Sequence, residues 1–224
     1  MAKKPTSRDP AKRVKTAKGR TTSSTKWLKR QLNDPYVTKA QMEGYRGRAA
    51  FKLVEINEKL DILKPNMMVV DLGAAPGGWC QVAAQKGCKV VGLDLLPMDP
   101  IENTTLFQMD FMDDEAPEVL KNAMADINDG DERADLVMSD MAPNTTGHKN
   151  TDHLRIMALV ELAYHFAREV LKPDGTFIAK VRQGGAENDL LAQMKKDFKT
   201  VKHIKPPASR PESSETYVIA LGFR

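Results

Sequence analysis

The sequence predicts an α/β protein: a doubly wound, mostly parallel seven-stranded sheet covered by helices on both faces, with an antiparallel C-terminal strand. Three observations predict it. From Met67 onward, short runs rich in Val, Ile and Leu alternate with stretches of helical period. Those runs are continuously apolar, as in strands buried on both faces. The last two strand-like runs have no helix between them, which points to an antiparallel end.

Taken in order, KWLKRQLNDPY predicts a short helix that Pro35 ends, and the spacing of Ala49, Ala50, Leu53, Val54, Ile56 and Leu60 predicts a helix over 47–60. MMVVDLG reads as a strand, GGWCQVAAQKG as a helix closed by Gly87, KVVGLDLL and TLFQMD as strands, and APEVLKNAMADIN as a helix running into the acidic loop DGDERAD. DLVMSDM is a strand, HLRIMALVELAYHFAREVLK a long amphipathic helix, GTFIAKVRQ a strand and NDLLAQMKKDF a helix. KTVKHIKP and ETYVIALGF close the sheet around a Pro/Ser-rich loop.

With 41% apolar and 29% charged residues, the 224-residue chain has the composition of one soluble globular domain. No apolar run approaches the roughly 20 residues that cross a bilayer, and the N-terminus carries no apolar signal segment. Cys80 and Cys88 match no metal-ligand spacing and read as free thiols of a reducing cytosol. The charge is uneven. Residues 1–30 hold eleven Lys or Arg against Asp9, so that segment is +10 and the rest of the +4 chain is −6. The chain divides into a basic N-terminal arm over 1–25 and a folded domain over 26–224. Such an arm suits a polyanion. A solvated tail that only aids solubility, or a targeting presequence, stays open on charge alone.

The loop in VVDLGAAPGGWC narrows the ligand by elimination. A phosphate loop ends in Gly-Lys-Ser/Thr, which is absent here. A dinucleotide loop needs G-x-G-x-x-G; Gly73 and Gly78 fit the outer places, but Ala75 holds the middle one. Asp94 ends the next strand, where a carboxylate accepts from ribose hydroxyls. The pattern wants an adenosine without a pyrophosphate, joined to something cationic, and S-adenosylmethionine fits. Asp71 would attract its amino or sulfonium group, and Asp110 would accept from the adenine amine. A tight βα turn packed only for structure is the competing reading.

Chemistry is expected at the strand ends of the second half. Asp140 follows the strand in SDMAPN, Lys180 lies inside the apolar run IAKVRQG, Glu215 opens ETYVIALG, and Lys52 sits among apolar neighbours in RAAFKLVEI. Singly, Lys52 reads equally as a snorkelling lysine, Glu215 as a strand-end guard and Asp140 as a loop cap. Lys180 is odd by itself, because burial disfavours a lysine's charge. Together, two lysines and two carboxylates can hold an amine beside a hydroxyl.

At this point VVDLGAAPGGW, DLLPMDP, SDMAPN, AKVRQG and SSETYVIALG resemble the FtsJ/RrmJ ribosomal RNA 2′-O-methyltransferases of the RlmE type, with the motifs in order from about Trp27 to the C-terminus. The resemblance implies a Rossmann-like S-adenosylmethionine-dependent methyltransferase fold. It implies a catalytic tetrad at Lys52, Asp140, Lys180 and Glu215, and cofactor contacts at Gly77, Trp79, Asp94, Asp110 and Asp140. It implies a uridine ribose in the A-loop of large-subunit rRNA as substrate, modified in the ribosomal particle. A monomer in the cytoplasm, with no membrane contact and no metal, is the corresponding expectation. The basic arm and the acidic stretch DGDERAD are departures from the pattern, and neither touches the tetrad.

Lys180 is then expected to take the proton of the 2′-hydroxyl, with Asp140 orienting it and with Glu215 and Lys52 positioning the ribose. A charged Lys180 that only steers the oxygen lone pair is the competing account. The 2′-hydroxyl also separates RNA from DNA. Arg46, Arg48, Arg182, Arg210 and the arm are the candidate phosphate contacts. The rivals are a methyltransferase of another RNA, such as a tRNA, and a ribosome-assembly factor that binds RNA without turnover.

Overall fold

The structure, a computed structural model, describes residues 21–143, 147–182 and 188–224. Residues 1–20 of the arm, Asn144 and the Gln183–Gly184 pair of the quoted motifs lie outside those segments. The first helix, α1 (Thr22–Leu32), begins three residues before Thr25, the end of the expected arm, and Thr21 caps it by accepting from Ser24 N at 3.2 Å.

Pro35 does not end this helix; it starts another, α2 (Pro35–Glu43). Proline is suited to the first helical position, since its missing N–H would be unpaired there anyway. Asp34 caps α2 through Tyr36 N at 3.0 Å, and Gly44, at φ 76°, closes it in a left-handed conformation. The next helix, α3 (Ala50–Leu60), therefore begins after a turn rather than at residue 47.

The remaining elements follow the expected order: β1 (Met68–Leu72), α4 (Gly78–Gln85), β2 (Lys89–Asp94), β3 (Thr104–Gln108), α5 (Ala116–Ile127), β4 (Ala134–Ser139), α6 (Lys149–Val170), β5 (Leu171–Arg182), α7 (Asn188–Asp197), β6 (Phe198–Ile204) and β7 (Glu215–Phe223). They form a seven-stranded sheet of spatial order β3-β2-β1-β4-β5-β7-β6. The first five in that order are mutually parallel, while β7 runs antiparallel to both β5 and β6. β7 thus enters between its neighbours, and β6 becomes an edge. Strand β5 begins at Leu171, earlier than Gly175, because its pairing with β4 shifts register between Ala134 and Leu136.

Two apolar layers sandwich the sheet. Val69, Val90, Leu136, Ile178 and Ile219 pack with Leu53 and Ile56 of α3 and with Val82 and Ala83 of α4. Val70, Val91, Val137, Phe177 and Val218 pack with Leu120 of α5, Tyr164 of α6 and Met194 of α7. Burial on both faces is why the strands show no alternation. Cys80 and Cys88 are free and buried. No described helix is long and apolar enough to cross a membrane. The acidic stretch is partly structural: Lys172 lies 3.6 Å from Asp131 and 3.4 Å from Asp135, whose carboxylate accepts from Met68 N at 2.7 Å, at the start of β1.

Candidate active site

The sheet order sets the site. Chain direction reverses sideways between β1 and β4, and the loops after these strands open at one edge, where doubly wound sheets bind ligands. Reading across that edge, Asp110 follows β3, Asp94 ends β2, the glycine loop follows β1, Asp140 follows β4, Lys180 lies in β5 and Glu215 opens β7.

The glycine loop is held from beneath. Gly73 N and Ala74 N both donate to Leu93 O, at 2.9 and 3.1 Å. Gly73 has φ 77°, and a Cβ there would stand 2.8 Å from Met141 N, so no side chain fits. Asp94 is stitched to the loop: its Oδ2 accepts from Ala75 N at 2.9 Å and its Oδ1 from Leu96 N at 2.8 Å. Asp110 accepts from Met112 N at 2.9 Å. Leu95, Leu96 and Met112 are exposed beside these two carboxylates. An apolar surface flanked by carboxylates and a side-chain-free backbone cradle fits an adenosine. Trp79 is buried at the start of α4; its indole N–H donates to Ala49 O at 2.9 Å, and its ring packs on Tyr217 at 5.5 Å.

Asp71 is fully buried beneath the loop, so the attraction expected of it toward a ligand is not a direct contact. Its Oδ2 accepts from Cys80 Sγ at 3.1 Å, while Oδ1 has no partner. Burial pushes its pKa from 3.8 up to about 7, Cys80's hydrogen bond opposing this and Asp140 and Asp94 adding to it. The folded chain then keeps a proton that the unfolded chain releases. Stability from this residue falls as pH rises between about 4 and about 7 and is flat above that window. Asp71→Asn is expected to remove this slope, narrowing the Tm difference between about pH 5 and about pH 8 by several degrees. An unchanged difference in thermal melts would show that Asp71 is ionised throughout.

The four residues expected to be catalytic converge. Lys180 Nζ lies 3.1 Å from Asp140 Oδ1 and also donates to the Asp140 carbonyl. Lys52 Nζ donates to Glu215 Oε1 and lies 3.9 Å from Asp140 Oδ1. Two cations and two anions thus form a partly buried cluster of zero net charge. Burial raises the pKa of Asp140, but Lys180 and Lys52, with the Tyr217 hydroxyl, outweigh it and hold the carboxyl below its usual value.

Sequence reasoning missed the residue that joins them. The Tyr217 hydroxyl lies 2.7 Å from both Asp140 Oδ1 and Glu215 Oε1 and accepts from Lys52 Nζ at 3.0 Å. With one proton to give, it can donate to only one carboxylate at a time. Burial first, then the two carboxylates, push its pKa well above the ordinary value, so it stays protonated. The signal was available: Tyr217 stands two residues after Glu215 and shares its face of the strand.

The arginines divide. Arg46 donates to the carbonyls of Pro76, Asp99 and Pro100. Arg48 is committed to the Asp34 carboxylate and the Ala208 carbonyl, so it serves the fold rather than a phosphate. Arg210 Nε approaches Asp34 at 3.5 Å, and Arg182 Nε donates to Ser214 Oγ at 3.1 Å. Among the described residues, no group of three or more His, Cys, Asp or Glu is placed to hold a metal ion.

The chain is similar to known proteins in sequence and in fold. The profile described as FtsJ-like methyltransferase matches residues 45–223. The Ribosomal RNA large subunit methyltransferase E of Novosphingobium aromaticivorans is 60% identical over 97% of this chain and 96% of its own length. The protein of the same name from Paramagnetospirillum magneticum is 58% identical over 97% of this chain and 90% of its own. A solved structure from Plasmodium falciparum, described as a ribosomal RNA methyltransferase, superposes with a TM-score of 0.70. It is 32% identical and covers 80% of this chain and 98% of its own.

Proposed function

The chain belongs to the FtsJ-like methyltransferase family, and on that premise we propose that it methylates the 2′-hydroxyl of a uridine ribose in the A-loop of large-subunit rRNA. It acts as a monomer on the ribosomal particle in the cytoplasm, with S-adenosylmethionine as donor. The carrying observation is the Lys52–Asp140–Lys180–Glu215 cluster, bridged by Tyr217 and set beside the glycine loop. The names of the relatives support the RNA class.

S-adenosylmethionine, when bound, supplies a methyl group already activated on a sulfonium. Gly77, Trp79, Asp94, Asp110 and Asp140 are the residues that would hold it, with Asp94 and Asp110 toward the nucleoside. The harder task is the hydroxyl, a weak nucleophile until its proton leaves. Lys180 Nζ directs two of its bonds to Asp140, which fixes the amine's orientation. In its neutral form the amine keeps both N–H bonds to Asp140 and offers its lone pair to the ribose oxygen, taking the proton as the new O–C bond forms and so becoming the ammonium of the balanced cluster. Lys52 and Glu215, locked to each other and to Tyr217, keep the cluster electrically balanced and position the ribose. Orientation of the two reactants contributes much of the rate. Phosphate contacts are assigned to the basic arm and to Arg182 and Arg210, with RNA affinity falling steeply with salt.

The deciding experiment transfers labelled methyl from S-adenosylmethionine to large-subunit particles from cells lacking this gene, with Lys180→Ala as control. Label on one uridine ribose, absent with the variant, is the expected result. Unlabelled particles with intact cofactor binding would remove the rRNA assignment and make tRNA the next substrate to test.

A further inference from the structure

We propose that Arg46 is a positioning residue for the cofactor, clasping the glycine loop to the loop after β2 and so fixing the two walls between which the nucleoside half lies. The inference rests on the reading of that loop as the S-adenosylmethionine site.

Two segments meet on this one guanidinium, which a third supplies. Nη1 donates to Pro76 O at 3.2 Å and to Asp99 O at 2.7 Å, and Nη2 donates to Pro100 O at 2.8 Å. The first acceptor belongs to the glycine loop, the other two to the segment that follows Asp94. The arginine is itself held from behind. Its own N–H donates to Gln81 Oε1 at 2.8 Å, Gln81 Nε2 donates to Gly44 O at 3.1 Å, and the neighbouring Tyr45 hydroxyl donates to Gln85 Oε1 at 3.0 Å. The turn between α2 and α3 is therefore riveted to α4, the helix that the glycine loop opens.

Contact with the loop is close. A Cβ at Gly77, whose φ is 104°, would stand 2.9 Å from Arg46 Nη1 and 2.7 Å from Ile101 Cδ1. The loop closes directly onto the guanidinium, while the backbone conformation is what requires glycine at 77. Asp94 ties the same walls through Ala75 N and Leu96 N. The walls thus carry two ties, a carboxylate accepting from N–H groups and a guanidinium donating to carbonyls.

Nothing in this arrangement resembles a phosphate contact. The donors are directed at backbone carbonyls, and among the described residues no carboxylate forms an ion pair with Arg46. A planar fork that serves three carbonyls cannot be replaced by the single ammonium of a lysine. Charge alone would survive Arg46→Lys, but the clasp would not.

The test uses the full chain and titrates S-adenosylhomocysteine calorimetrically into wild type, Arg46→Lys and Arg46→Ala. Both variants are expected to bind at least about 10-fold more weakly, because a looser cradle loses preorganisation. In turnover the defect appears in the KM for the methyl donor and is largely overcome at saturating donor. Affinity for large-subunit particles, and its salt slope, stay as in wild type. Cofactor affinity within about 2-fold of wild type in both variants would overturn the proposal. So would a reduced salt slope with cofactor binding intact, which would make Arg46 a phosphate contact. Should Arg46→Ala unfold, Arg46→Lys decides alone, and cofactor affinity within about 2-fold of wild type in that variant overturns the clasp. Wild type failing to bind would instead reject the loop as the cofactor site, and the clasp with it.

Discussion

Lys180→Met is expected to reduce methyl transfer by about a hundred- to ten-thousand-fold, the range for removing a positioned acid–base group. S-adenosylhomocysteine affinity should stay within about 2-fold, since Lys180 lies in β5, on the far side of β4 from the glycine loop. Methionine keeps the length of the side chain and removes the amine, so packing in the apolar strand is preserved. Lys180→Arg separates the two roles open to the amine. A guanidinium keeps the charge and can still steer a hydroxyl, but it is not deprotonated in proteins. If Lys180 accepts the proton, the arginine variant is as inactive as the methionine variant. Near-normal single-turnover rates with Lys180→Arg would reassign the residue to steering, with water taking the proton. Near-normal rates with Lys180→Met would reject both roles.

Asp140→Asn is expected to cost both activity and stability. Asp140 Oδ1 is the common point of the cluster, approached by Lys180 at 3.1 Å, by the Tyr217 hydroxyl at 2.7 Å and by Lys52 at 3.9 Å. An asparagine retains one acceptor but leaves two ammonium groups facing one remaining carboxylate, Glu215. Breaking a partly buried pair in this way costs about 3 kcal/mol, the lower end for fully buried pairs. Turnover should fall at least about a hundred-fold because Lys180 loses its orienting partner. Denaturant titration at neutral pH measures the first effect, and single-turnover methyl transfer the second.

The sign of the pH dependence adds a check on Asp140→Asn. The folded pKa of Asp140 is depressed, so its contribution to stability is present above the unfolded value and is lost as pH falls below it. The wild-type advantage over Asp140→Asn should therefore shrink in acid. This window lies below that of Asp71, whose raised pKa acts between about pH 4 and about pH 7 and in the opposite direction. An advantage that is constant down to about pH 3 would mean that Asp140 is not ion-paired in the native state.

Much of the architecture was legible because local pattern and burial agree. Continuous apolar runs such as MMVVDLG and DLVMSDM can only be central strands of a two-faced sheet, and the glycine pattern required a backbone cradle that no other residue could build. Pro35 was misread for a local reason. A proline ends one helix or begins the next, and the signal that decides between them was local: Asp34, just before Pro35, caps the second helix through Tyr36 N.

By itself, the sequence determined the α/β class, the strand count, the glycine loop and the ionisable residues at the strand ends, all of which follow from period and residue chemistry. It did not determine which of those residues meet. Lys52 and Glu215 are 163 positions apart, and Lys180 and Asp140 are 40 apart. They converge only because β7 inserts between β5 and β6, bringing Glu215 and Tyr217 to the same edge as Asp140. The same limit applies to the arginines. A guanidinium reads as a surface charge in sequence, and only the fold showed Arg48 bound to Asp34 and Arg46 bound to three carbonyls. Secondary structure is set by neighbours within a few residues. Charge partners are set by how the sheet is ordered, and that order is a property of the whole chain's packing.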